Sequence, residues 1–135
     1  MDIKGRLWFI SVIVSSVLAL AETSKEDESI TTDKNEVFTI YKTHDGSFYS
    51  SGCKEGLCQA KTQISVPTEF AKKLIRPPYH VNPGNEICQK IGGKSFKGYF
   101  KNHNEQTFCQ FPDGSFVDTG TVFKLIRDQA EATNK

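Results

Sequence analysis

Thr107-Phe108-Cys109-Gln110-Phe111-Pro112-Asp113-Gly114-Ser115-Phe116-Val117-Asp118 is the stretch that decides the fold. Thr107–Phe111 and Ser115–Asp118 are rich in β-formers, and Pro112-Asp113-Gly114 between them is turn chemistry. Together they predict a β-hairpin. An upstream segment resembles it. Thr39, Asp45, Gly46, Ser47, Phe48 and Gly52 repeat Thr107, Asp113, Gly114, Ser115, Phe116 and Gly120 at an offset of 68. Such an echo can record a duplication. Two Asp-Gly hairpins of similar length also produce it, and that simpler reading is preferred at this level.

Working outward, Val37-Phe38-Thr39-Ile40-Tyr41 and Phe48-Tyr49-Ser50 flank the first Asp-Gly turn and read as a second strand pair. Gln63–Val66 is a further strand candidate. Pro67–Arg76 reads as a helix with Ser65 or Thr68 as cap and Phe70, Ala71, Leu74 and Ile75 on one face. Pro77-Pro78 stops it. Asn82-Pro83 opens another helix, which carries Ile87, Cys88 and Ile91 and ends at Gly92-Gly93. Lys94–Lys101 reads as a strand with Phe96, Gly98 and Phe100 on one face and Lys97, Tyr99 and Lys101 on the other. Thr121–Ala132 reads as a closing helix with Val122, Leu125 and Ile126 on one side. The expected fold class is α+β: a small antiparallel sheet of hairpins packed by two or three short helices.

The ends of the chain carry different signals. Residues 1–21 have the form of a secretory signal peptide: Lys4 and Arg6, an apolar run from Leu7 to Leu20, and Ala19-Leu20-Ala21 as a cleavage site. The run is short for a membrane span and stops at Glu22. Trp8, the only tryptophan, lies within it. Residues 22–36 hold six acids against two lysines, with Ile30 the one apolar residue, and read as an acidic flexible tail. Residues 37–135 carry 13 basic and 9 acidic residues and are expected to form one domain. The whole chain has a formal charge of +1 over 135 residues, which excludes a large catalytic domain and disfavours nucleic acid as a partner. An exported chain with four cysteines, Cys53, Cys58, Cys88 and Cys109, favours disulfides over a zinc site. Four cysteines allow three pairings. Cys53–Cys58 is a short loop that one local disulfide can close.

The pattern Asn82-Pro83, Cys88, Gly92-Gly93, Cys109-Gln110-Phe111-Pro112-Asp113-Gly114 resembles a small exported bacterial domain of unknown function that often carries the label haemolysin. The likeness covers residues 82–127. This chain departs from the family at Ile87, where an aromatic is usual, and at Asp118-Thr119-Gly120, where the family has Glu-Trp. The resemblance implies a Cys88–Cys109 disulfide that staples helix to sheet, and with it a Cys53–Cys58 pair that shapes a surface loop. It also implies an envelope or extracellular setting.

No motif for catalysis, phosphate binding or a metal is present. His44, His80 and His103 fall in turns or loops. The expectation is a non-enzymatic binding module without cofactor, periplasmic or extracellular, with no span in the mature chain. Its partner is an unknown protein or an anionic surface ligand. Candidate binding residues are Lys94, Lys97, Tyr99 and Lys101, with Lys90, Phe96 and Phe100 nearby, and a second cluster of Lys72, Lys73 and Arg76. Cations beside aromatics suit anionic surfaces. Two alternatives follow: a secreted virulence factor contacting host or anionic membranes through the Lys94–Lys101 strand, and a disulfide-stapled enzyme inhibitor presenting the Cys53–Cys58 loop.

Overall fold

The structure is a computed structural model that describes residues 27–76 and 82–132. The expected signal segment, the start of the acidic tail, Pro77-Pro78 and His80 lie outside them. Six strands form the framework: β1 (Glu28–Thr32), β2 (Val37–Lys42), β3 (Phe48–Ser50), β4 (Lys94–Tyr99), β5 (Glu105–Gln110) and β6 (Phe116–Asp118). The expected hairpins are present, but the sheet does not stay open. It closes into an antiparallel barrel in the order β1-β2-β3-β6-β5-β4.

Closure depends on a strand the sequence reading assigned to the acidic tail. β1 begins at Glu28, and Ile30, the one apolar residue there, is fully buried. The folded domain therefore starts by residue 28 rather than 37. One buried isoleucine plus strand pairing on both sides outweighs the polar composition. Gln63–Val66 is not a strand. It follows a short helix α1 (Gln59–Thr62) and leads into α2 (Thr68–Leu74), whose N-cap is Pro67 without a side-chain cap. α3 (Pro83–Lys90) starts as expected, with the Asn82 carboxamide accepting from the Asn85 amide at 3.1 Å. α4 runs Thr119–Glu131, and Asp118 caps it by accepting from the Thr121 amide at 2.8 Å.

The barrel is internally two-fold, with one half repeating the other at an offset of 68. Ile40↔Ser50 and Lys42↔Phe48 in the first half match Phe108↔Asp118 and Gln110↔Phe116 in the second. Glu28↔Ile40 matches Phe96↔Phe108. The turn residues with positive φ also correspond, Asn35 with His103 and Gly46 with Gly114. At the two seams a residue faces its own counterpart: Tyr49 opposite Val117, and Thr31 opposite Tyr99. Reciprocal bonds cross the first seam. The Phe116 amide donates to Ser50 Oγ at 3.1 Å, and the Phe48 amide donates to Asp118 Oδ2 at 2.8 Å. Two coincident hairpins explain none of the pairing between halves, so the echo in the sequence is a structural repeat.

Alternation along the strands splits the apolar residues into two cores. Ile30, Ile40, Phe108 and Phe116 point inward with Phe38, Phe48, Phe96 and Phe100 packed on them. Rings fill the lumen: Phe96, Phe108 and Phe116 lie 5.2–5.4 Å apart between centroids. Gly98 sits opposite Ile30 here, its missing side chain leaving room for that residue. The outward residues Tyr41, Tyr49, Cys109 and Val117 form the second core with the helices. Cys88 on α3 and Cys109 on β5 are joined, as are Cys53 and Cys58. Gly93 lies against the first of these bonds, where any Cβ would come within 2.8 Å of Cys88 Sγ. None of the described helices is long and apolar enough to cross a membrane.

Candidate functional site

After β3 the chain makes a single 3-10 turn at Ser51–Cys53, opens into Lys54-Glu55-Gly56-Leu57, and re-enters helix at α1. Both feet of this loop are fixed. At the first, the Cys53–Cys58 bond closes it, with Cα atoms 5.4 Å apart. The Cys53 carbonyl accepts from the Tyr41 hydroxyl at 3.2 Å and from Lys61 Nζ at 2.7 Å. That ammonium lies over the stacked rings of Tyr41 and Tyr49, 5.8 and 5.6 Å from their centroids. Burial pushes the Tyr49 hydroxyl up to about 12, so it stays neutral. At the second foot, the β5–β6 turn grips α1. The Gln59 amide donates to Asp113 Oδ2 at 2.8 Å, the Asp113 amide donates to Gln59 Oε1 at 2.8 Å, and the Ala60 amide donates to Ser115 Oγ at 2.9 Å. Burial raises the Asp113 carboxyl, but hydrogen bonds from Ser115 and the Gln59 amide outweigh it and hold the group below its ordinary range.

Between these anchors Leu57 is 92 % exposed. Beside it runs a groove of about 470 Å³, walled by β2 at Val37 and Thr39, by Ser51 and Gly52, and by the turn at Gly114 and Ser115. Val37 adds a second apolar surface, 67 % exposed. Leaving an apolar side chain in water forgoes about 2 kcal/mol of burial. The loop is clamped at both ends and still holds this leucine out. The sequence signal for this site was the Cys-x4-Cys spacing; nothing in it marked Val37 or Leu57.

The expected basic residues are dispersed. Lys97 lies on the outer face of β4 and pairs with Glu105 at 2.9 Å, which raises its pKa. Tyr99 hydrogen-bonds Asp33, which raises its hydroxyl pKa. Phe96 and Phe100 belong to the inner core, as the alternation required. Lys97 and Lys101 border two counterpart clefts at opposite ends of the β1–β4 seam, about 340 and 330 Å³, where Asp33 and Glu36 or Asp27 and Glu28 stand across from them. Lys94 shares the parity of Phe96 and is exposed at the strand's start. Lys90 pairs with Glu86 at 3.0 Å. Lys72, Lys73 and Arg76 belong to α2 and the residues just after it, in a layer that packs on α4, and Lys72 pairs with Glu69 at 3.1 Å. The two clusters thus stand on separate layers. His44 and His103 are exposed turn residues.

No protein-family model, curated protein or solved structure matches the chain. The likeness of residues 82–127 to the haemolysin-labelled domain therefore rests on its motif alone. In this fold five of the motif residues serve local structural purposes. Asn82 and Pro83 start α3, Gly92 takes φ +93° behind it, and Cys88 and Cys109 join it to β5.

Proposed function

We propose that this protein is a small exported module that binds another protein without catalysis, and that its contact face is the Cys53–Cys58 loop with the adjoining groove. The observation that carries the reading is Leu57, 92 % exposed on a loop fixed at both feet. Rigid presentation of an apolar anchor lowers the ordering cost of association. Packing of the lumen by phenylalanines argues against a small-molecule calyx. The anionic-surface alternative has less support, because Lys97 and Tyr99 already have acidic partners.

The test compares the mature wild-type protein with Leu57→Asp as baits in envelope and culture-medium extracts. Proteins retained by the wild type and lost with Leu57→Asp, at equal thermal midpoints, are the expected result. Identical protein sets on both baits would overturn the assignment. The same loop supports a narrower second reading, that the partner is an enzyme whose cleft receives Leu57. That reading requires inhibition of a protease or glycosidase by the wild type and its loss in Leu57→Asp.

A further inference from the structure

We infer that the groove beside Leu57 receives an extended segment of the partner protein, which adds as a strand to the free edge of β2 at Val37–Thr39. This rests on the binding-module reading and gives the form of the ligand. The strand register carries it. β2 meets β1 along Val37–Ile40 but meets β3 only from Ile40 to Lys42. In an antiparallel ladder, alternate residues turn their amide and carbonyl to opposite neighbours. The Thr32 amide donates to the Glu36 carbonyl at 2.9 Å, which assigns the even-numbered residues of β2 to β1. The Thr43 amide donates to the Ser47 carbonyl at 2.8 Å, which assigns the odd-numbered ones to the β3 side. A longer β3 would offer the Ser51 carbonyl to the Thr39 amide. The chain instead enters its 3-10 turn at Ser51, and that carbonyl accepts from the Lys54 amide at 3.1 Å. Among the described residues, this leaves the Val37 amide and carbonyl and the Thr39 amide facing the groove without a strand partner.

The vacant place is one strand wide. β3 lies between β2 and β6 in the sheet order. The line it abandons at Ser51 therefore runs between Val37–Thr39 and the β5–β6 turn at Gly114 and Ser115, which are the two walls of the groove. Two strand spacings separate such walls by about 10 Å. That admits a single extended chain and keeps out the β2 edge of a second barrel. Side chains along the added strand alternate. The inward ones meet the Phe38 and Phe116 rings that line the groove, and the outward ones lie beside Val37 and Leu57. Asp113 is the one charged side chain among the described residues lining it, and hydrogen bonds from Ser115 and the Gln59 amide keep its carboxyl ionised. The fitting ligand is thus an extended peptide of alternating pattern, with apolar residues and a lysine or arginine at the end near Asp113.

The experiment selects displayed linear peptides on the oxidised mature protein and follows amide hydrogen exchange with and without a selected peptide. The expected result is exchange at least tenfold slower at the Val37 and Thr39 amides, and binding at least tenfold weaker when alternate peptide amides are N-methylated. Thr39→Pro removes one free donor and spares the bonds to β1, because proline is tolerated on an edge whose N–H faces outward. It should weaken binding at least tenfold, and Thr39→Ala should not. Peptides lost with Leu57→Asp that leave exchange at Val37 and Thr39 unchanged would overturn strand addition and leave the contact face standing. Protection of both amides by peptides indifferent to Leu57→Asp would uphold strand addition and defeat the anchor reading it rests on. Protection in the free protein that rises with its concentration would make a second copy the occupant, which overturns assignment to a partner.

Discussion

Gly98 is where two-fold packing meets its steric limit. It is the counterpart of Ile30, and the two point at each other in the lumen. A Cβ at 98 would lie 2.8 Å from Ile30 Cδ1 and 2.8 Å from Phe108 Cε2. Carbon atoms prefer about 3.5–4.0 Å, so something must move by roughly 0.7–1.2 Å. Ile30 and Phe108 are both fully buried, so neither can swing into solvent. Overpacking of this kind costs about 1–3 kcal/mol, against a gain of about 0.5–1 kcal/mol from replacing a strand glycine. Gly98→Ala should therefore lose about 1–2 kcal/mol, or on the order of 5–10 °C in midpoint for a domain of this size. Ile30→Val deletes Cδ1, one of the two obstructing atoms. Alone it should cost about 0.5–1.5 kcal/mol. In the Gly98→Ala background it should cost nothing or restore stability, a coupling of about 1 kcal/mol. Urea unfolding followed by far-ultraviolet circular dichroism measures all four corners of the cycle. If Gly98→Ala stabilises the protein and the pair is additive, the lumen is not closed as described and the reasoning fails.

The two disulfides should differ in weight. Replacing Cys88 and Cys109 by serine opens the longer loop, with a sequence separation of 21, and should cost about 3 kcal/mol. The Cys53/Cys58 double serine opens a separation of 5 and should cost nearer ~2 kcal/mol; equal losses in urea would contradict that order. The Asp45 carboxyl is held down at about 2 from its ordinary 3.8, chiefly by the Thr43 hydroxyl and then by the Ser47 amide. A depressed folded value means its contribution is complete above about pH 4 and is lost as pH falls through about 2. Asp45 is largely exposed, so the loss is small. Carbon-detected NMR should place its midpoint at about 2 in the wild type and higher in Thr43→Ala, where the Ser47 amide still holds it below the ordinary value; a wild-type midpoint at 3.8 would refute the turn's hydrogen-bond account.

Local chemistry made much of this fold legible in advance. Asn82-Pro83 and Gly92-Gly93 bounded α3 because caps act over a few residues, and the Asp-Gly turns located β2–β3 and β5–β6 because positive φ at Gly46 and Gly114 is a local demand. The alternation in Lys94–Tyr99 sorted Phe96 inward and Lys97 outward. What stayed hidden depends on contacts far apart in the chain. β1 looks like a tail because a strand paired on both sides needs only Ile30 to anchor it. The end of α2 at Leu74 and the Ile64–Val66 link before it are set by α4, which arrives much later in the chain, packs on α2 and bonds the link through Gln129. At the candidate site the cysteine spacing was visible, but exposure of Leu57 follows from Asp113 holding α1, a contact across 54 positions.

The repeat also separates what the barrel requires from what it does not. Register, turn geometry and the reciprocal bonds of Ser50 and Asp118 obey the two-fold because each half must present the same edges to the other to close the barrel. Departures at the axis have a packing reason: Ile30 cannot face a second isoleucine, so its counterpart is Gly98. Tyr41 and Cys109 differ for a similar reason, since one is covered by Lys61 and the other by the Cys88 sulfur. The loop from Lys54 to Leu57 has no such reason. A continuous helix like α4 would satisfy more backbone groups and bury more leucine. The chain instead breaks it, staples the break with Cys53 and Cys58, and turns an apolar residue outward. The proposed partner contact is the reading that accounts for a departure from symmetry that costs burial and is held in place by a covalent bond.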